Sequence, residues 1–408
     1  LFLLVAVLLY VVTFSFSAIR RYGTFHATTF DLGYFSQVVW NTAHGRWFET
    51  SISRSTSSQL IGSYLGEHVA PILVLLAPLY RLWPDPRLLL IVQSVGLGLG
   101  AVPLYALARR RTGYARVALI VACGYLLYPA LGFVNLFDFH PIALSIPAIL
   151  LAAWALQEQR TGLFWIGVIL ALFTKEETVI PLGVWALVNV FRGERRRVGM
   201  SLLIVVAVWA AVCFGVIIPA HNEGQPYKFL SLWSDLFAVS NHGPQGGIAQ
   251  ATAQASPQAV ALFLIHLALP LGFLPLLGPE TLIVALPSLA YLLLGQRAAF
   301  HSVGYHYPAV LIPWFFLALV EGLARLQRGA RPRARRLHRW GLAFLVTGTV
   351  GMNVILNPVL LHAQAGFFRR EPYHGRIEEA LARIPDEEAV CAVNRLGPHL
   401  ANRHVLVA

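Results

Sequence analysis

Charge is what this sequence has least of. Acidic and basic residues together make up 12% of its 408 residues, and 57% are hydrophobic, whereas ordinary soluble domains carry roughly 25% charge. A mean hydropathy of +0.64 excludes a chain dissolved wholly in water. Lysine is nearly absent, with only Lys175 and Lys228, so the net charge of +12 rests on arginine. Those arginines fall in short loops between apolar runs, the pattern of membrane topology and not of a nucleic-acid-binding stripe. Cysteine is scarce too. Cys123, Cys213 and Cys391 are odd in number and lack CxxC spacing, and the first two lie in apolar segments, which excludes a disulfide framework and a zinc site. There is no HExxH and no dense carboxylate loop. The weak patterns that remain are HNE at 221–223 and DFH at 138–140, so a divalent ion held by Asp31 and other loops stays open. No A-x-A site or basic leader marks residues 1–19 as a signal peptide, and they read as a span. The chain opens inside that run and ends in HVLVA, and reads as a piece of a longer protein.

What is present is hydrophobic length. Runs able to cross a hydrocarbon core of about 30 Å occur near 1–19, 88–108, 115–132, 198–218, 258–277, 303–323 and 337–358. Shorter ones lie at 140–157, 161–174, 177–192 and 280–295. Three arginine-rich loops, Arg109–Arg111 with Arg116, Arg192 with Arg195–Arg197, and Arg325 through Arg339, belong in the cytoplasm by the positive-inside rule. They stay on one side only if residues 67–83 lie in the interface as a short proline-containing helix; Arg20 and Arg21 then break the rule. The expectation is an all-α integral membrane protein of about eleven spans in the plasma membrane, amino terminus cytoplasmic and carboxyl terminus outside. Its membrane domain covers 1–358, with a large first outer loop at 20–87. From 359 to 408 the pattern is a helix and then a β-like run, the start of an extracytoplasmic α/β domain. The Gly-, Gln- and Ala-rich stretch 240–258 reads as a mobile loop.

Ionisable groups near the hydrocarbon cost several kcal/mol and need a reason. Most acids and histidines of the membrane region fall on the outer side, whose turns hold Asp31; Glu67 and His68; Asp138 and His140; Lys175, Glu176 and Glu177; His221 and Glu223; His301, His306 and Tyr307. Each has a plain structural explanation. Asp31 suits a helix cap, Glu67 and His68 a helix N-terminal turn, Asp138 a tight turn, and Lys175 with Glu176 an internal ion pair. His301 and His306 suit interfacial polar tips, and Trp40, Trp47 and Trp83 a belt of interfacial aromatics. Taken together, they suit a reaction site on the non-cytoplasmic face, beside a hydrophobic body that admits a lipid-linked substrate.

The blocks FDLGYFSQVVWNTAHGR, GEHVAPILVLLAPLYRLWP, FDFHPIALSIPAILLAAWAL, FTKEETVIPLGVWALV, HYPAVLIPWFFLALVEGL and IPDEEAVCAVNRLGPHLANR resemble, in order, those of a prokaryotic family of predicted polytopic membrane proteins of unknown function. That family is grouped with the GT-C glycosyltransferases, and the resemblance covers essentially the whole chain. It implies a polyprenyl-phosphate-linked sugar donor, transfer outside the cytoplasm with inversion, and an acidic base or metal ligand in the first outer loop, where Asp31 stands. It also implies juxtamembrane helices in that loop, matching 67–83. The paired acidic motif of many such loops is reduced here to Asp31.

On that footing Asp31 is the expected base. Glu67, His68, Asp138, His140 and Glu176 are candidate substrate contacts, and Lys175, Arg297, His306 and Tyr307 are candidates to receive the leaving phosphate. The partners are membrane lipids, the lipid-linked donor and an acceptor of unspecified chemistry. A second reading, from another class, is a transporter or lipid-handling protein with an intramembrane Lys175–Glu176 site. It calls for a polar path across the slab and an inverted repeat, and no repeat is visible.

Overall fold

The computed structural model describes residues 1–52, 60–224, 227, 256–295, 297–329 and 332–408. Residues 240–255 of the expected mobile loop lie outside these. α1 (Phe2–Gly23) is followed by a π-helical turn at Thr29–Gly33 and by α2 (Tyr34–Ala43). An antiparallel pair, β1 (Glu49–Thr50) with β2 (Gly62–Ser63), leads to α3 (Ile72–Leu82). α4 (Pro86–Leu99) runs through Gly100 into α5 (Ala101–Thr112). α6 (Ala115–Leu126) and α7 (Pro129–Leu136) are bent by 41° where Pro129 removes an amide donor. α8 (Ser145–Gln157), α9 (Thr161–Leu172), α10 (Val179–Arg192) and α11 (Arg196–Val212, continuing to His221) follow as two antiparallel pairs, α8 with α9 and α10 with α11. Then come α12 (Pro257–Ala268), α13 (Pro279–Leu282), α14 (Leu286–Leu294), α15 (Ile312–Arg328), α16 (Pro332–Ile355), α17 (Pro358–Gln364) and α18 (Pro372–Leu381). A parallel pair, β3 (Val390–Cys391) with β4 (Leu406–Val407), closes the chain.

The protein is a helical membrane bundle, and by length and composition alone four of its helices can cross a bilayer. These are Phe2–Gly23, Pro86–Thr112, Arg196–His221 and Arg336–Gln364; the bent pair α6–α7 makes a fifth if taken as one span. The other apolar helices are 10–17 residues long, so length by itself does not reach the expected count of about eleven. α3 has 11 residues, roughly 16 Å of helix, too short to cross.

Two expected runs are corrected. The helix expected at 303–323 begins only at Ile312, because a 3-10 turn at Tyr307–Val310, carrying Pro308, occupies its first residues. The run at 258–277 breaks at Pro270, with Gly272 and Phe273 left-handed.

Within lipid, helices associate through close packing more than through expulsion of water, and the glycines follow that rule. A Cβ on Gly167 of α9 would stand 2.7 Å from the Ala148 carbonyl of α8, and one on Gly199 of α11 would stand 2.8 Å from the Ala186 carbonyl of α10. α15 is the central helix, buried continuously from Ile312 to Ala324. A second core forms where the tail packs on the first loop: Ala392, Leu400 and Leu406 join Leu32, Phe35, Val38, Leu73 and Tyr80. The Ser51 hydroxyl donates to the Leu406 carbonyl at 2.9 Å and accepts from its amide at 2.7 Å.

Candidate functional site

Asp31 sits inside the π-helical turn Thr29–Gly33, not at a helix cap. Such turns recur at functional sites because the extra residue re-aims side chains. The tail secures this one, for the Thr29 amide donates to the Asn394 carbonyl at 2.8 Å and to its side-chain oxygen at 2.9 Å. On Asp31 itself, the Thr28 hydroxyl donates to Oδ2 at 2.6 Å and His140 Nε2 lies 3.1 Å from Oδ1. Burial alone would raise the carboxyl pKa. The His140 and Thr28 bonds and the Arg21 charge outweigh it and hold the group below the ordinary aspartate value. Asp31 is therefore ionised at neutral pH.

His140 owes its place to the turn LFDFHP. Asp138 there takes a left-handed φ of 56°, which aspartate tolerates better than most residues. Gln93, from α4, clamps the turn: its amide donates to the Asp138 carbonyl at 2.7 Å, and its oxygen accepts from the His140 amide at 2.8 Å. The Asp138 carboxylate accepts the Thr28 amide at 3.0 Å and forms an ion pair with buried Arg21. The ring of His140 stacks on that of His306, centroids 3.7 Å apart. Burial first, then the His140, Lys175 and His68 charges, push His306 well below the usual histidine range, so it is neutral. Nδ1 of both rings is buried and has no hydrogen-bond partner among the described residues.

The other wall is built from the TKEET turn and the start of α3. Glu176 is fully buried. It takes the Val69 amide at 2.8 Å, His68 Nδ1 at 2.7 Å and the Tyr227 hydroxyl at 2.5 Å. Burial would raise its pKa, but His68, Lys175 and Tyr227 bring it down to about 2. Lys175 pairs with Glu177 at 3.1 Å, and not with Glu176 as an intramembrane Lys–Glu site would require. Burial would lower the Lys175 pKa, but the two glutamates more than offset it and keep the lysine charged. Tyr34 donates to Glu67 at 3.0 Å.

Asp31, Glu67, His68 and His140 line one cavity of about 210 Å³ together with Lys175, Arg297, His306 and Tyr307. Two expected contacts do not line it. Asp138 and Glu176 stand behind the wall, their oxygens taken by Arg21 and Thr28 and by His68, Val69 and Tyr227, so they orient lining groups. His301 turns away to the Leu293 carbonyl, and exposed His221 to that of Ile217. Among the described residues, no three His, Cys, Asp or Glu side chains converge to hold a metal ion, and no step below runs through one.

Sequence reasoning missed Gln93, Thr28 and Arg21. Gln93 was visible as a lone amide in an apolar run. Arg21 was visible as one of two arginines that break the charge rule under the expected topology, and it pairs with Asp138.

The family described as "Predicted membrane protein (DUF2079)" matches residues 21–408. The chain belongs to that family. Among solved structures it is similar to ArnT from Cupriavidus metallidurans bound to undecaprenyl phosphate, with a TM-score of 0.64 at 15% identity, covering 100% of this chain and 85% of that one. At that identity the likeness shows a shared fold. Among curated proteins none matches.

Proposed function

We propose that this DUF2079 protein is an inverting transferase that takes a sugar from a polyprenyl phosphate at the extracytoplasmic membrane face. One observation carries the reading: an ionised aspartate, braced by His140 and Thr28, shares a single cavity with two cations, Lys175 and Arg297. In the reaction Asp31 accepts the acceptor's hydroxyl proton while that oxygen attacks the anomeric carbon. The bond from that carbon to the phosphate oxygen breaks, and the lipid phosphate leaves with one more negative charge than it had in the donor. Lys175, Arg297 and Tyr307, which line the same cavity, balance that charge in this reading. The cavity is smaller than the roughly 300 Å³ at which ligand pockets begin. It suits the reacting groups, with the polyprenyl chain left in the bilayer. The resemblance to ArnT, whose structure holds undecaprenyl phosphate, fits such a donor.

The transporter reading loses support from two observations. Lys175 faces the same cavity as Asp31 and Glu67, at one end of the bundle. Between the two ends, Ile149 of α8, Leu182 of α10 and Phe316 of α15 belong to one buried apolar core, and Trp185 packs on Trp314 with centroids 5.6 Å apart.

The test is to incubate the purified full-length protein with a panel of polyprenyl-phosphate sugars and measure free lipid phosphate. Release by the wild type that is lost in Asp31→Asn, with unchanged melting, is the expected result. Full release by Asp31→Asn removes the base assignment.

A further inference from the structure

The same helices that carry the carboxylate–imidazole cavity at their amino-terminal ends carry a second, larger cavity at their carboxyl-terminal ends. His140, Lys175 and Tyr307 stand just before or at the turns that open α8, α10 and α15. Gln157, Arg192 and Arg325 stand in the closing turns of the same three helices. With 13, 14 and 17 residues, the helices hold the two sites roughly 20–25 Å apart at 1.5 Å per residue.

The far cavity is about 500 Å³ and mostly polar, within the roughly 300–1,000 Å³ of small-molecule sites. Five arginines line it, drawn from three separate basic segments: Arg111 from the first, Arg192 and Arg195 from the second, Arg325 and Arg328 from the third. Topology explains why arginine lies on one side of a membrane. It does not explain why one arginine or two from each segment converge on the same hollow, where like charges repel.

The carboxylates present do not cancel them. Glu280 and Glu321 are taken up by Arg192 and Arg325, with Glu321 3.3 Å from Arg192 and 2.7 Å from Arg325, and Glu280 2.7 Å from Arg325. Thr281 donates to Glu321 as well. Arg111, Arg195 and Arg328 have no ion-pair partner among the described residues. Arg195 donates only to the neutral Gln157 at 3.2 Å, and Arg328 to its own helix at Ala324. Glu194 lines the same cavity, so five guanidinium groups face three carboxylates. Burial, with the neighbouring Arg111 and Arg192 charges, pushes the Arg195 pKa down despite Glu194. A group so placed gains from an anion. Planar guanidinium forks approaching from several sides match the tetrahedral oxygens of phosphate, which accept paired N–H bonds.

We propose that this arginine-lined cavity binds a phosphate group, carried on an anionic lipid headgroup or on a small soluble phosphate, at the end of the bundle opposite Asp31. Arg111, Arg195 and Arg328 supply the charge, while Glu280 and Glu321 hold Arg192 and Arg325 in place.

The test uses the full-length protein purified without phosphate and two probes. Inorganic pyrophosphate is titrated while thermal unfolding is followed. Retention of dioleoyl phosphatidylglycerol is compared by native mass spectrometry with that of dioleoylglycerol, which has the same tails and no phosphate. A rise in melting temperature with pyrophosphate identifies a soluble source, and selective retention of the phospholipid identifies a lipid source. Arg111→Gln and Arg328→Gln, singly and together, should each weaken the effective probe by about tenfold or more. Arg110→Gln, on the exposed side of α5 and paired with Glu158, should leave it unchanged. If the double variant does not fold, the single variants decide. Absence of binding by both probes, or equal binding in wild type and both single variants, overturns the proposal.

Discussion

Asp31 and Glu176 are both held ionised against burial, and each leaves a different trace in pH. For Asp31 the trace is in rate. Its carboxyl lies below the ordinary aspartate value of about 3.9, so transfer should hold its rate down through pH 5 and fall only below that value. His140 acts through Asp31 and is a positioning residue. His140→Ala should lower kcat about tenfold or more with little change in KM. It should also move the acid limb upward, because the bond that depresses the carboxyl pKa is gone; a pH–rate profile of both proteins checks this. An unmoved acid limb would reduce His140 to packing. For Glu176 the trace is in stability. A folded pKa of about 2 against an unfolded value of about 4.3 means that its stabilisation is complete above pH 4.3 and is lost as pH falls toward 2. Glu176→Gln should cost about 1–3 kcal/mol at pH 7 and flatten the acid side of the melting-temperature curve, read by thermal scans from pH 3 to 7.

At the scale of elements, helix contacts through glycine set the packing. The α8–α9 and α10–α11 pairs approach until backbone meets backbone at Gly167 and Gly199. Gly167→Leu or Gly199→Leu should push each pair apart and destabilise the protein by several kcal/mol, the scale of overpacking a close-packed interior. Loss of monodisperse protein on size exclusion is the readout. This is also where the sequence was easiest and hardest to read. Hydrophobic length located α1, α4–α5, α11 and α16 because each is a single apolar run. It misplaced the start of α15, because Tyr307-Pro308 continues the apolar composition while ending the helix. Composition averages over a window and does not register one missing amide. The site residues were legible for a different reason, since each is an ionisable group where lipid makes such groups costly. Gln93, Thr28 and Tyr34 are uncharged and gave little such signal. Asp138 and Glu176 carried the signal, but sequence could not show that their oxygens are occupied by neighbours.

Across the whole molecule, the proposed eleven spans put the two cavities on opposite sides of one membrane, with Asp31 outside and Arg195 in the cytoplasm. Single cysteines introduced at the exposed positions His44 and His221 of a cysteine-free background should react with an impermeant maleimide in intact cells. One at residue 195 should react only after permeabilisation. Labelling of residue 195 from outside would reverse the topology and with it the proposed site of transfer. A bundle polar at both ends and apolar between them is also easier to reconcile with chemistry at one surface than with passage through the slab.

The bonds from Thr29 to Asn394 join residues 365 positions apart. Synthesis at roughly 5–20 residues per second therefore leaves the aspartate's turn without its anchor for roughly 20–70 seconds after Asp31 emerges. During that interval the nascent chain carries Asp31, the proposed base, without the turn geometry that holds it. Under the proposed function, competence for transfer waits until Asn394 has left the ribosome and paired with Thr29.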